Sequence, residues 1–292
     1  MDGLKEATSN VVDPADLICG TSCVPPSFLP HGVQRRKKEM KKFAVAIATT
    51  GLICSAGLAQ DTLWDNGPLL THEGGGFGGA DASRLQNSSL GMTTLGNNRN
   101  LGSFSSADNF VVGPEGWILD SIITFGYQTN SGNTSTMTGL FVRIWDASPD
   151  QAGANIVWGD FTTNIMSSTS WTGMYRESET STPSTARPIM DLVGLFGGLV
   201  LSQGEYWVEV SMTGSTASGP WMPPVTILGE TTTGNAISFS ESTQTWSDWV
   251  DTGTQTQQGM PFILTGSLVP APGAIALLGL AGVCGVSRRR RA

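Results

Sequence analysis

Between residues 60 and 268 the chain reads as an all-β domain. Three observations predict this. The span is rich in Gly, Ser, Thr and Trp, lacks lysine altogether and has little Ala or Glu outside turns, a composition that disfavours helices and suits strands. Short β-branched and aromatic runs recur between clusters of Gly, Asn, Ser and Pro, the pattern of many short strands joined by turns. No stretch keeps a 3.6-residue apolar period over three turns, and no internal repeat is present. The 209 residues of the span suit one domain with one substantial core.

Each expected strand has its own reason. Residues 108–112 open on the turn-formers Asp108 and Asn109 and continue through Phe110, Val111 and Val112. Residues 117–128 carry Trp117, three isoleucines, Phe125 and Tyr127, and residues 139–145 alternate aliphatic with aromatic or charged side chains. Residues 155–158 and 171–176 are short aromatic runs bounded by Gly, Asn and Ser. Residues 205–212 alternate again, and 236–240, 246–250 and 262–267 complete the set. Residues 131–138 and 252–259 read as polar loops, and 220–224 as a stiff Pro-rich turn.

Alternation also assigns faces. Leu140, Val142 and Ile144 are expected to face the core, with Phe141, Arg143 and Trp145 on the opposite face. Tyr206, Val208 and Val210 are expected to point inward, and Trp207 outward between Glu205 and Glu209. Phe141, Trp145 and Trp207 would then form an outer aromatic platform, unless a loop covers it or the strands are buried on both faces. Trp221, Trp246 and Trp249 fall near expected loops, where a ring can meet a sugar face or plug the end of a sandwich. Glu205 and Glu209, about 13 Å apart by strand rise, are expected to keep the outer face hydrated.

The two ends read as addresses. Met40-Lys41-Lys42 is a basic segment, Phe43 to Ala56 is apolar, and Gly57-Leu58-Ala59 supplies small residues, so a signal peptide spanning 40–59 is expected, cleaved between Ala59 and Gln60. Residues 1–39 have no periodicity and are expected to be an extension before the true start at Met40, or else an unusually long leader. Leu52-Ile53-Cys54-Ser55 fits a lipoprotein box only in part. At the other end Val269-Pro270-Ala271-Pro272 leads into an apolar run from Gly273 to Val286, closed by Arg288, Arg289, Arg290 and Arg291. The run falls short of the ~20 residues that span a bilayer, but arginine stems extend it by snorkelling. The arginine cluster would stay in the cytoplasm and leave the body outside.

The tail resembles a PEP-CTERM sorting signal, with Ala271 where that family usually carries Glu. The resemblance, confined to residues 269–292, implies a membrane-anchored intermediate, processing by an exosortase-type transpeptidase at the inner membrane, and release to the cell surface or beyond. It further implies association with exopolysaccharide. Trp64-Asp65-Asn66-Gly67-Pro68, Ala107-Asp108-Asn109-Phe110 and Gly116-Trp117-Ile118-Leu119-Asp120-Ser121-Ile122 resemble segments of secreted bacterial β-sandwich proteins similar to jelly rolls and carbohydrate-binding modules. That resemblance implies a β-sandwich of jelly-roll type. On the residues alone, Asp108 or Asn109 is expected to bond the backbone at a strand start, with Phe110 and Ile122 in the core.

Charge and residue inventory narrow the chemistry. All four cysteines, Cys19, Cys23, Cys54 and Cys284, lie outside residues 60–268, so that span has no disulfide, thiolate metal site or cysteine nucleophile. Its five arginines face 19 acidic residues, a net charge of −14, which argues against nucleic acid as a partner. His72 is its one histidine, too few for a zinc site or a convincing Ser-His-Asp triad. The Gly74–Gly79 run lacks the Gly-Lys-Ser/Thr of a phosphate loop. Glu177 and Glu179 lie about 7 Å apart along a strand, a spacing that is poor evidence for a glycosidase pair. Structural calcium is the one cofactor considered, at Asp61, Asp65, Asp81, Asp146 or Asp150, all of them also ordinary turn residues. The expectation is an exported, non-enzymatic surface or matrix protein, with Trp207, Phe141, Trp145 and Trp221 as glycan contacts. The alternative is a polysaccharide-active enzyme on the same scaffold.

Overall fold

A computed structural model describes residues 61–271. The signal cleavage site, the expected signal helix and membrane helix, and the tail residues from Pro272 to Arg291 lie outside the described residues. In chain order the strands are β1 (Asp61–Asp65), β2 (Asp81–Leu85), β3 (Asn97–Asn98), β4 (Phe104–Val112), β5 (Trp117–Gly126), β6 (Met137–Trp145), β7 (Ile156–Asp160), β8 (Met166–Ser178), β9 (Pro188–Leu201), β10 (Gly204–Gly214), β11 (Trp221–Met222), β12 (Ile237–Ser240), β13 (Thr245–Asp248) and β14 (Phe262–Leu268). A single 3-10 turn at Phe77–Gly79 is the one helical element among the described residues.

The domain is all-β and its strands form two six-stranded sheets. The first runs β1-β14-β5-β9-β8-β2 and the second β13-β12-β4-β10-β6-β7, with β3 and β11 as a small separate ribbon. Every pairing is antiparallel except β2 with β8. Side chains from both sheets share one core. Trp117, Leu119, Ile122, Met190, Leu192, Phe262 and Leu264 come from the first, and Phe110, Leu140, Val142, Ile144, Val208 and Val210 from the second. Burial of each such side chain contributes about 1.5–3 kcal/mol. Phe110 stacks on Trp117 across the sheets and on Tyr206 beside it, at centroid distances of 6.1 and 5.8 Å.

The expected faces of β6 and β10 are the observed ones. Leu140, Val142, Ile144, Val208 and Val210 are fully buried in the shared core, while Trp207 pairs with Trp145 in the ladder on the opposite face.

The strand that sequence patterning misses is β9. It is the longest strand and central to the first sheet, pairing with both β5 and β8. Its run is broken by Gly194, Gly197 and Gly198, which read as turn signals. Gly194 is instead a point of close approach, where a Cβ would stand 2.7 Å from Ile165 Cδ1 and 2.9 Å from Leu140 Cδ2. β1, β2 and the two-residue β3 and β11 also lie outside the expected set, β11 within the expected turn 220–224, and β8 runs from Met166 to Ser178, beginning well before the expected 171–176.

Buried polar groups pin the loops to this frame. Asp251 accepts backbone N–H bonds from Thr93, Thr94, Gly253 and Thr254, at 2.7 to 3.2 Å. Arg176 Nε donates to Leu95 O, Nη1 to Ser83 Oγ and Thr226 Oγ1, and Nη2 to Thr94 O. Every nitrogen of this buried guanidinium therefore has a neutral acceptor.

Candidate functional site

The outer face of the second sheet carries Phe141, Trp145 and Trp207, as alternation predicts, but it is not an open platform. Trp207 is 7 % exposed and Phe141 is also buried. Trp207 packs with Ala107, Ile237, Trp145 and Trp246, so the β12–β13 hairpin supplies its cover. Trp145 is half-buried and spends its indole N–H on Glu209, at 2.9 Å.

Glu209 overturns the expectation of a hydrated face. It is 1 % exposed. Its carboxylate accepts from Ser105 Oγ at 2.6 Å, Trp145 Nε1 at 2.9 Å and Arg143 Nη1 at 3.4 Å. Arg143 in turn lies over the Phe161 ring at 3.9 Å. Burial raises the Glu209 pKa despite these partners. The face is a small second core built around a paired charge.

The carboxylates considered for catalysis are committed to structure. Glu177 is buried, faces Arg84 Nε at 3.7 Å and accepts from the Phe77 N–H. Glu179 accepts from the Ser88 and Ser89 N–H groups and from Ser89 Oγ. Of the calcium candidates, Asp65, Asp81, Asp146 and Asp150 each accept a local turn hydrogen bond, from Gly67, Gly74, Asn155 and Ser148 respectively. Among the described residues no three His, Cys, Asp or Glu side chains converge to hold a metal.

The more promising geometry lies elsewhere. Two adjoining hollows meet at Phe104, the first residue of β4, which is 36 % exposed. One hollow, of about 230 Å³, is lined by Asn97, Asn98, Arg99, Phe104 and Ser238. The other, of about 360 Å³, is lined by Gly102, Ser103, Phe104, Glu241 and Ser242. An aromatic ring thus stands between two walls of amides and hydroxyls, with a cation on one side and a carboxylate on the other. No known family, curated protein or solved structure matches this chain. The site must therefore be read from its own chemistry.

Local sequence explains the placement. Asn97 and Asn98 form the two-residue strand β3, paired with Met222 and Trp221. Trp221 is thereby set opposite a wall residue of the first hollow, half-buried, with its indole N–H on Ser218 Oγ at 3.1 Å. The Arg99 backbone is held on both sides, its N–H on Pro220 O at 2.9 Å and its C=O accepting from the Met212 N–H at 2.8 Å. A third hollow, of about 190 Å³, is lined mainly by apolar side chains, including Leu69, Leu70, Phe125 and Ile263, and lacks convergent polar groups. Sequence reasoning missed Arg99, Phe104 and Ser238. The available signal was the run Gly96-Asn97-Asn98-Arg99-Asn100, a dense polar cluster holding one of only five cations in the domain.

Proposed function

We propose that the chain is an exported, non-enzymatic protein of the cell surface or extracellular matrix. Its body is a sandwich of jelly-roll type, delivered by a signal peptide ending at Ala59 and sorted through its C-terminal tail by an exosortase-type transpeptidase. The order of parts in that tail carries the reading: Pro270 and Pro272, an apolar run, then Arg288 to Arg291. The fold supports it, because β14 ends at Leu268 and the final backbone tie of the sheet region is Val269 N–H to Gly116 O. The tail, residues 269–292, shares only this one bond at Val269 with the sheet region among the described residues, so cleavage beyond Val269 would leave the sandwich whole. The engaged carboxylates of Glu177, Glu179 and Glu209 support a body without a catalytic acid–base pair.

Contact with exopolysaccharide is proposed at the paired hollows around Phe104 rather than at the covered face of Trp207 and Phe141. The exposed ring flanked by Asn97, Asn98, Ser103, Ser238 and Ser242 supports this, since sugar rings stack on aromatic faces and bond to amides and hydroxyls.

Intact-mass analysis of the protein recovered from cells and medium tests the address. The expected product begins at Gln60 and ends within the tail, and replacing Arg288 to Arg291 with Gln leaves it unprocessed. Recovery of an uncleaved chain in the cytoplasm would refute the reading.

A further inference from the structure

Arg99 is 1 % exposed, and its surroundings do not resemble those of the other buried arginine. Arg176 has an acceptor for every nitrogen. Arg99 bonds only through Nη1, to Asn98 O and Ser238 Oγ. Its Nε and Nη2 have no acceptor. No carboxylate lies within ion-pairing distance among the described residues; the two ion pairs there involve Arg84 and Arg143. Its guanidinium carbon sits 4.5 Å from the centroid of the buried Trp249 ring, whose own Nε1 is also without a partner.

The unpaired groups are concentrated. Six buried side-chain polar atoms lack partners among the described residues, and four of them belong to Arg99, Trp249 and Ser106. Ser106 stands opposite Ser238 in the β4–β12 ladder, so its hydroxyl flanks the residue that Arg99 already bonds. All four atoms can donate a hydrogen bond. A buried cation without a counter-charge is strongly unfavourable, and burial draws the Arg99 pKa down to about 9. Arg99 is the member of this buried, unpaired set that lines the hollow, and a guanidinium so placed is relieved by an anion.

We infer that the hollow lined by Asn97, Asn98, Arg99, Phe104 and Ser238 is a subsite for one oxyanion carried on a sugar, with the Arg99 guanidinium as its counter-ion. The hollow is smaller than the ~300–1,000 Å³ of pockets for drug-sized ligands, so it takes a single charged group and not a chain. The chain continues past Phe104 into the second hollow, where Glu241 accepts from neutral hydroxyls and repels a second anion. The ligand class is an acidic polysaccharide in which charged and neutral residues alternate. The sugar part of this inference rests on the glycan reading above; the anion part stands without it.

Isothermal titration of the full-length protein in mild detergent tests both parts, using a glucuronyl-glucose disaccharide, cellobiose, free glucuronate and sodium sulfate. The expected result is at least tenfold tighter binding of the charged disaccharide than of cellobiose, with glucuronate and sulfate competing for it. Arg99→Met should abolish this preference. Ser238→Ala and Phe104→Ala, at the rim, should weaken charged-disaccharide binding at least threefold with an unchanged near-UV spectrum, and they carry the test if Arg99→Met does not fold. Equal binding of the two disaccharides would overturn the anion subsite and leave the glycan reading standing. Binding of sulfate and glucuronate without the charged disaccharide would do the reverse. No binding of any probe would overturn both.

Discussion

Asp108 Oδ2 accepts a hydrogen bond from Asn66 Nδ2 at 2.7 Å and another from the Met260 N–H at 2.8 Å. One carboxylate in the middle of β4 thereby ties down the chain after β1 and the chain before β14, both in the opposite sheet. Its other oxygen takes the Asn109 N–H at 2.8 Å. Asp108 bonds backbone and Phe110 lies in the core as expected, but β4 begins at Phe104, so Asp108 sits in mid-strand and not at the expected strand start.

That carboxylate sets a pH dependence. Burial raises the Asp108 pKa from 3.8 to about 6, although the bonds from Met260, Asn109 and Asn66 pull the other way. Between those values the folded chain holds a proton that the unfolded chain has lost, so stability falls as pH rises through the window. The contribution is fully present below pH 3.8, is lost as pH climbs through about 6, and amounts to roughly 3 kcal/mol. Urea unfolding of wild type and Asp108→Asn across this range should give a difference that slopes with pH; parallel profiles would refute the assignment.

The two buried arginines should respond unequally to removal. Arg176→Met leaves the Thr94 and Leu95 carbonyls and the Ser83 and Thr226 hydroxyls unpaired, and is expected to cost about 3 kcal/mol or more. Arg99→Met removes a charge that lacks a counter-ion and is expected to cost less than about 1 kcal/mol. Thermal unfolding of the two variants side by side measures the contrast. A large loss at Arg99 would mark it as a structural residue and not a ligand partner.

Trp207 should prove structural. Trp207→Ala opens a cavity under the β12–β13 hairpin and is expected to cost about 3–5 kcal/mol, while leaving affinity for the charged disaccharide within about twofold in the folded fraction. None of the nine tryptophans is exposed, so acrylamide should quench the native protein far less than the denatured one. Strong native quenching would restore the open platform.

Gly159 marks a position where only glycine fits. It adopts φ +80°, and an added Cβ would run into the Val142 carbonyl oxygen of β6. Gly159→Ala is expected to lower stability by roughly 1–3 kcal/mol and to loosen β7 from β6, visible as faster amide exchange at residues 156–160. Unchanged exchange would show that the edge strand accommodates the methyl group.

Salt should act weakly on ligand binding. The domain's net charge of −14 repels an acidic glycan at long range, and salt screens that repulsion. The Arg99 contact is buried and screened much less. Affinity is therefore expected to hold or rise between about 20 and 150 mM NaCl, whereas a surface basic patch would lose it. A steep loss over that range would exclude Arg99 as the main contact.

The strands with plain alternation, β6 and β10, were legible because one face of each packs on the core and period two shows directly. β9 was not, since Gly194 serves close packing against Ile165 and Leu140, a contact formed only by the fold, while Gly197 and Gly198 adopt positive φ inside the strand. The outer face of the second sheet was assigned correctly at Trp207 and misread at Glu209. Alternation reports direction, whereas cover comes from the β12–β13 hairpin more than 25 residues further along. The hollow at Phe104 was out of reach for the same reason: Arg99, Ser238 and Glu241 meet only through strand pairing.

The absence of lysine between residues 60 and 268 has a consequence for proteolysis. Trypsin-like proteases cut after Lys or Arg in segments that can unfold locally. Arg99 and Arg176 are buried. Arg84 and Arg143 lie inside paired strands with side chains 25 and 29 % exposed. Arg187 is followed directly by Pro188, a bond such enzymes cleave poorly. A domain with this distribution offers one whole class of proteases few accessible sites, a property that suits the proposed export.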